Sequence, residues 1–257
     1  MRRTVTIALF GLLSIFSHQA FADPIWTETF DSGVGRFDQT LGPGDSRYVW
    51  QAAGNIQGNF IRDGANDRRY TLLEQTLDGH ADVFGFSVVV EPEATNVGGH
   101  AASSIGFWNS NDDNTANRLG ISIGGGTVGT SQWIIFRGAY DDAGDSIGDA
   151  MPQFVEFNFG ITYFIDVLVD GPSHLASAAI YEGTDNTGTF VGSIEEPLDP
   201  GRALSFDSLG MGGPFLGSGQ WITATIDNFS FTPEPSTASL LLVILATLRR
   251  RRNRRAS

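Results

Sequence analysis

The fold class is decided by residues 163–171, which read YFIDVLVDG. Apolar side chains at every second position predict a β-strand with one buried face, because successive side chains of a strand point to opposite sides. The strand is followed by Asp170-Gly171-Pro172, where glycine accepts a positive φ and proline cannot continue a ladder of backbone hydrogen bonds. Residues 175–181, LASAAIY, alternate again, so the sequence predicts a second strand directly after this turn.

The same alternation runs through most of the chain between residues 23 and 232. Turn signals such as Gly98-Gly99, Gly124-Gly125-Gly126 and Gly212-Gly213-Pro214 separate the alternating segments. Many short strands at roughly ten-residue spacing predict an all-β fold, an antiparallel β-sandwich or jelly roll. The absence of an internal repeat disfavours a propeller or a solenoid. The alternating segments are residues 84–90, 105–108, 119–123, 133–136, 154–159 and 163–169.

Three parts of the chain resemble strands of the concanavalin A-like and laminin-G-like jelly rolls. Residues 163–181 resemble two paired strands of such domains, in which one strand ends in Asp-Gly and its partner returns as an alternating strand. Residues 221–231, WITATIDNFSF, resemble the closing strand, and residues 26–31, WTETFD, resemble the first. In these folds the first strand pairs close to the last. The resemblance implies an architecture and names no activity.

The C-terminal segment, residues 233–257, has three parts in a fixed order. The motif Pro233-Glu234-Pro235 is followed by an apolar run at residues 238–248 and then by six arginines. Eleven residues span roughly 16 Å as a helix, about half of a bilayer's hydrocarbon core. Arginines beside an apolar segment hold that end on the cytoplasmic side. The six are Arg249, Arg250, Arg251, Arg252, Arg254 and Arg255.

This order resembles the PEP-CTERM sorting signal of bacterial envelope proteins. The resemblance implies recognition, and cleavage near Pro-Glu-Pro, by an exosortase, so that membrane contact through the C-terminal helix is transient. It also implies a bacterium of the Gram-negative type with an outer membrane and an exopolysaccharide programme. The alternative interpretation is a marginal tail anchor with a basic stop-transfer flank. Both interpretations place the body of the protein across a membrane.

The N-terminus independently indicates export. Arg2 and Arg3 form a positive n-region, residues 5–16 form an apolar core, and Ala20-Phe21-Ala22 forms a small-x-small cleavage site for signal peptidase. Asp23 is then the first mature residue. The sequence therefore predicts a signal peptide at residues 1–22, a β-sandwich domain at residues 23–232 and a sorting signal at residues 233–257. The predicted location is the cell envelope, at the outer surface, or the secreted fraction.

The composition excludes several classes of function. The chain has no cysteine, so neither disulfides nor thiolate metal sites can form. It has no lysine, and residues 23–232 hold eight arginines against twenty-eight Asp and Glu residues, which leaves a net charge of about −20. A surface this negative repels nucleic acid. The simplest interpretation of the charge is a solvated acidic surface.

The predicted pairing of first and last strands suggests a structural calcium site. Ca²⁺ prefers oxygen ligands from carboxylates, amides and carbonyls, and related jelly rolls often place a site where the terminal strands meet. Glu28, Asp31, Asp227 and Asn228 are the candidate ligands. The alternative is that these side chains form only hydrogen bonds of turns and strand edges. Two further acidic segments, residues 109–114 and 141–145, are interpreted as surface turns.

Catalytic motifs are absent from the sequence. A laminarinase-type glucanase would carry Glu-x-Asp-x-x-Glu on one strand. The nearest string, Glu91-Pro92-Glu93, is interpreted as a turn that ends a strand. His80, His100 and His174 are each isolated in predicted turns, which disfavours a zinc hydrolase. The sequence therefore favours a protein without catalytic activity and leaves open whether the fold assembles carboxylates into an active site.

Carbohydrate binding fits this class of fold. Sugar-binding sandwiches stack exposed aromatic faces on sugar rings and surround them with hydrogen-bonding side chains. The candidates are Trp50, Trp108, Trp133, Tyr140 and Trp221. Most aromatic side chains of a sandwich belong to the core. Trp108, beside the polar loop that begins at Asn109, is the predicted exception, and Trp108 and Asn109 are the predicted ligand-binding residues.

The sequence as a whole predicts an exported, exosortase-processed protein of the cell surface or extracellular matrix. It is expected to be non-catalytic and to bind carbohydrate, with exopolysaccharide or cell-surface glycan as its partner. Two alternatives remain open. One is a polysaccharide hydrolase or lyase on a jelly-roll fold, and the other is a structural adhesin without a glycan site.

Overall fold

The structure, a computed structural model, describes residues 25–42, 47–62, 67–95, 102–110, 118–125, 132–136, 154–201, 203–213 and 220–233. This part of the chain forms two antiparallel β-sheets that pack face to face around one apolar core. The predicted all-β sandwich is thereby confirmed.

Fifteen strands are described, and they are numbered in chain order. Their bounds are β1 Trp26–Glu28, β2 Gln39–Leu41, β3 Tyr48–Gln51, β4 Asn55–Arg62, β5 Asp67–Asp78, β6 Val83–Thr95, β7 Ala102–Trp108, β8 Arg118–Gly125, β9 Gln132–Phe136, β10 Phe154–Phe157, β11 Tyr163–Asp170, β12 Leu175–Glu182, β13 Thr189–Pro197, β14 Ser205–Gly213 and β15 Gln220–Pro233.

The strands divide between an eight-stranded and a seven-stranded sheet. In the first, called sheet A, the order is β13-β12-β11-β6-β15-β4-β3, and β1 adds to β15. In the second, called sheet B, the order is β10-β9-β8-β7-β14-β5-β2. Most neighbours in this order are distant in sequence, as in a jelly roll, so each sheet closes only through long-range pairing.

The stretch at residues 163–171 forms β11 and behaves as the alternation predicts. Its odd positions are buried and its even positions are partly exposed. It pairs in register with β12 from Tyr163 opposite Glu182 to Asp170 opposite Leu175. On its other side it pairs with β6. The even positions of β11 therefore lie on the face of sheet A that points away from the core.

The core is dominated by phenylalanines that contact one another between the two sheets. Phe107 of sheet B lies 4.8 Å from Phe84 and 5.5 Å from Phe86 of sheet A, measured between ring centroids. Phe86 in turn lies 5.4 Å from Phe229. Burying one such side chain contributes about 1.5 to 3 kcal/mol, which lets the domain fold without disulfides.

The first and last strands pair, as the resemblance implies. Trp26 lies opposite Phe231 and Glu28 lies opposite Phe229 in an antiparallel ladder. β15 also pairs with β6 and β4. Its register against β6 shifts between Asp227 and Ser230, where Asn228 has a φ of 46°. This bulge separates Asp227, on the outer face, from Phe229 in the core.

Three glycines lie side by side in sheet B. Gly106 of β7 is opposite Gly210 of β14 on one side and Gly120 of β8 on the other. A Cβ at Gly106 would lie 2.5 Å from the Cα of Gly120. The neighbouring backbones approach too closely here for any other residue.

The interpretation of Glu91-Pro92-Glu93 as a strand-ending turn is wrong. β6 continues through these residues to Thr95, with Pro92 opposite Ala224 of β15. Proline lacks an N–H to donate, and its carbonyl accepts a hydrogen bond from the N–H of Gly160 at 2.8 Å. The ladder register shifts between Thr223 and Ala224, directly beside the proline, so an irregularity accommodates it inside the strand.

Candidate functional site: an aromatic row on the outer face of sheet A

Three aromatic side chains lie in a row on adjacent strands of sheet A. Phe164 of β11 is opposite Tyr181 of β12, which is opposite Phe190 of β13. The ring centroids are 6.4 Å apart in the first pair and 5.5 Å apart in the second. The row faces away from the core, and Phe190 is 57% exposed. It therefore offers solvent a continuous aromatic surface about three strands wide.

A carboxyl group lies beside this aromatic row. Asp166 is two residues from Phe164 on β11, between Ser87 of β6 and Ala179 of β12. Desolvation by burial raises the pKa of Asp166 to about 6. A carboxyl whose charged form is disfavoured by its surroundings is typical of binding and catalytic sites.

Several polar side chains of this outer face are hydrogen-bonded to one another. The hydroxyl of Thr162 donates to a carboxylate oxygen of Glu91 at 2.9 Å. Glu93 accepts hydrogen bonds from Thr225 at 2.7 Å and from Gln57 at 2.9 Å. These contacts hold the two carboxylates of β6 in place.

The raised pKa of Asp166 predicts a defined dependence of stability on pH. The pKa of the folded state lies above the value near 4 expected for an unfolded chain. Below about pH 4 the carboxyl is protonated in both states, and the stability that depends on this group is fully present. As the pH rises to about 6, the unfolded chain releases this proton more readily than the folded state, so the free energy of unfolding falls. We expect Asp166→Asn to raise the free energy of unfolding at pH 7.5 by roughly 2 to 3 kcal/mol.

Urea unfolding at pH 4.5 and 7.5 measures this effect. The increase in the free energy of unfolding caused by Asp166→Asn should be large at pH 7.5 and small at pH 4.5. Glu74→Gln, which changes an exposed carboxyl on β5, is the control and should alter neither value. Equal effects of the two substitutions would show that Asp166 is not destabilised by its surroundings.

The predicted calcium ligands lie near one another but are already engaged. The carboxylate of Glu28 accepts hydrogen bonds from the N–H groups of Phe30 and Arg36, at 3.2 and 2.9 Å. Asp31 accepts one from the hydroxyl of Thr29 at 2.7 Å. Glu28 therefore organises the loop that follows β1.

Asp227 is a predicted calcium ligand whose surroundings raise the pKa of its carboxyl. Burial raises the pKa of its carboxyl, the N–H of Asn228 opposes this with a 2.7 Å hydrogen bond, and the charge of Asp31 raises it further. Asp31 and Asp227 thus interact, as the pairing of terminal strands predicts. Across the described ranges, no group of three or more His, Cys, Asp or Glu residues could hold a metal ion.

The prediction that Trp108 is an exposed platform is wrong. Its side chain is only 5% exposed, and its carbonyl accepts a hydrogen bond from Ser208 at 3.0 Å. Asn109 is half-buried, and its carbonyl accepts a hydrogen bond from Arg68 at 3.4 Å. Phe107 and Trp108 are consecutive residues of β7, so their side chains point to opposite faces of sheet B, yet both are buried. Position next to a polar loop therefore did not indicate exposure.

The other candidate aromatics divide between the core and the undescribed part. Trp50 packs against the core, and its indole N–H donates to the carbonyl of Phe30 at 2.5 Å. The side chains of Trp133 and Trp221, and all of Tyr140, lie outside what the structure describes. The sequence analysis did not predict the aromatic row. Phe164 and Tyr181 lie at the strand positions that alternate with the core residues, and this position was the signal that could have identified them.

The predicted targeting signals lie almost wholly outside the described residues. These are Ala20, Ala22 and Asp23 at the cleavage site, and the sorting signal after Pro233, from Glu234 and Pro235 to the arginines at 249–252. Pro233 is the last residue of β15. Within the described residues, no helix has the length and apolar character needed to cross a membrane.

Comparison with known proteins finds similarity in structure. No protein-family model matches the chain, and no curated protein matches its sequence. Among solved structures, lectin II from Ulex europaeus has a TM-score of 0.55 at 13% identity, covering 82% of this chain and 100% of that one. The chain thus has the all-β sandwich fold of a lectin.

Two further lectins are similar over comparable lengths. The lectin from Bauhinia forficata in complex with GalNAc has a TM-score of 0.51 at 14% identity, over 82% of this chain and 98% of that one. Peanut lectin has a TM-score of 0.50 at 16% identity, over 80% and 94%. At such identities the likeness concerns the fold alone.

Proposed function

We propose that this chain is an exported, non-catalytic protein of the cell surface or extracellular matrix that binds carbohydrate. The observation that carries the proposal is the aromatic row of Phe164, Tyr181 and Phe190 on the outer face of sheet A. Aromatic faces stack on the apolar patches of sugar rings, and polar side chains beside them fix the orientation of the sugar.

The row has the chemistry that such binding requires. Neighbouring strands lie about 4.8 Å apart, so rings on three strands form a strip that one extended glycan could follow. Asp166, beside the row, can accept hydrogen bonds from sugar hydroxyls. Its unfavourable desolvation is a cost in stability that a bound hydroxyl would offset, as is common at functional sites.

The structural similarities support the same class of ligand. The Bauhinia forficata lectin was solved with GalNAc bound, so a sandwich of this type can carry a sugar site. The location on this chain is argued from its own residues, since identity to that lectin is 14%.

Export and sorting belong to the proposal. We infer a signal peptide at residues 1–22 that signal peptidase removes, and a PEP-CTERM-type signal at residues 233–257 that an exosortase processes. The last described strand, β15, reaches Pro233, so the described part of the sandwich extends to the first residue of the Pro-Glu-Pro motif. Mass spectrometry of the mature protein from its host should give an N-terminus at Asp23 and a C-terminus near Pro233.

Binding of the full chain to a glycan array tests the proposed function. We expect Tyr181→Ala and Phe190→Ala each to weaken binding by about tenfold, which corresponds to about 1.4 kcal/mol. Leu72→Ala removes an exposed apolar side chain from sheet B, 54% exposed, and should leave binding unchanged.

The outcome discriminates between the alternatives. Absence of binding to any glycan would favour a structural adhesin, and binding unaffected by both substitutions would move the site away from the aromatic row. Release of reducing ends or unsaturated products from a bound polysaccharide would indicate a hydrolase or lyase. Calcium binding by Glu28, Asp31, Asp227 and Asn228 remains a prediction: a Tm that does not change when EGTA replaces Ca²⁺ would eliminate it.

A further inference from the structure

Two histidines that are 94 residues apart in sequence meet at one end of sheet A. His80 lies in the turn between β5 and β6, called the first turn (residues 79–82). His174 lies in the turn between β11 and β12, called the second turn (residues 171–174). Their Nδ1 atoms are 3.3 Å apart, and the rings meet edge to face with centroids 5.3 Å apart. Both side chains are partly exposed, so the pair is accessible to ions.

The backbone holds the two turns together independently of the histidine rings. The N–H of Gly171 donates to the carbonyl of Asp82 at 3.0 Å. A Cβ at Gly171 would lie 2.6 Å from that carbonyl oxygen, so the turns are in close contact. The carbonyl of His174 accepts a hydrogen bond from Leu198 at 2.8 Å. The two rings are therefore brought together by the fold and do not depend on flexible loops.

The conformation of His174 is a second, independent observation. Its φ is 53°, in the left-handed region that glycine adopts most easily and that asparagine, aspartate and histidine enter more often than other residues. Such a conformation costs about 1 to 3 kcal/mol and is typical of functional sites.

The distance between the two nitrogens fits a pair of metal ligands. Two imidazole nitrogens bound to one tetrahedral Zn²⁺, each at about 2.0 to 2.1 Å, lie about 3.4 Å apart. The observed 3.3 Å agrees with this separation.

We propose that His80 and His174 bind a divalent transition metal, Zn²⁺ or Cu²⁺, through their Nδ1 atoms. Imidazole nitrogen is a preferred ligand of both ions. No third His, Cys, Asp or Glu of the described residues completes a three-ligand set, so the proposal concerns these two imidazole ligands alone. Asp78 and Asp82, at the first turn, and Asp170, which begins the second, add negative charge that favours a cation.

Titration of the full chain with Zn²⁺, prepared without a polyhistidine tag, tests the site. We expect one zinc ion to bind, and a hundredfold excess over its Kd to raise the Tm by about 5 to 10 °C. His174→Asn keeps a residue that tolerates the left-handed conformation and should weaken binding by about a hundredfold. His80→Gln should have the same effect.

The control variant replaces the other two histidines, His18→Ala with His100→Ala, and should bind zinc as the unaltered chain does. Electron paramagnetic resonance of bound Cu²⁺ should show coupling to two imidazole nitrogens, reduced to one in each single variant. Absence of zinc binding, or zinc binding unchanged by His174→Asn, would overturn the proposal and leave the pair as a hydrogen bond between two turns. This inference does not depend on carbohydrate binding.

Discussion

Replacing Phe107 with alanine should lower the free energy of unfolding by about 3 to 5 kcal/mol. The Phe107 ring is fully buried and contacts both sheets, with ring centroids 4.8 Å from Phe84, 5.5 Å from Phe86 and 6.0 Å from Phe206. Truncation loses the transfer free energy of the ring and leaves a cavity between close-packed sheets, which can relax only partly.

Urea unfolding monitored by tryptophan fluorescence gives the loss directly. Phe190→Ala is the matched control, because it is the same chemical change at a side chain that is 57% exposed. It should change stability by less than about 0.5 kcal/mol while weakening glycan binding. Similar losses of unfolding free energy for Phe107→Ala and Phe190→Ala would mean that Phe107 is not packed between the two sheets.

Replacing Gly106 with valine should destabilise the domain by at least about 3 kcal/mol and reduce the yield of folded protein. A Cβ here would meet the Cα of Gly120 at 2.5 Å and would also press on the carbonyl oxygen of Leu119. These are backbone atoms of the paired strand β8, which can move only if the ladder opens. The preference of valine for strands is far too small to compensate.

Ser193→Val is the control for this substitution. Ser193 is exposed on β13, at the edge of sheet A, where a β-branched side chain should be tolerated. Circular dichroism and the midpoint of urea unfolding compare the two variants. A Gly106→Val protein as stable as Ser193→Val would show that β7 and β8 are farther apart than described.

Local alternation was enough to predict strands such as those at residues 84–90 and 163–169, because a period of two depends only on neighbouring residues, but it did not indicate β4, β5, β13 or β14. Residues 163–170 and 175–182 form β11 and β12 as expected. The meeting of the first and last strands came from a family resemblance, since nothing local at Glu28 indicates Phe229 as its partner. The same resemblance brought Asp31 and Asp227 together correctly as a pair.

Contacts between distant turns could not be predicted from the sequence. His80 and His174 each stand alone in the chain, and they meet only because β6 and β11 are neighbours in sheet A. The predicted exposure of Trp108 was wrong for a related reason. Whether one face of a strand is exposed depends on which distant residues pack over it. Pro92 locally predicts the end of a strand, but a register shift in β15 accommodates it inside β6.

The position of β15 has a consequence for biogenesis. The final strand of the domain is an inner member of sheet A, flanked by β6 and β4 and paired also with β1. A polypeptide that crosses a membrane from its N-terminus delivers this strand last, so sheet A stays split until residue 233 has emerged. Proteolysis before Gln220 would remove an inner strand and expose apolar surface, whereas cleavage after Pro233 would leave all fifteen described strands in place.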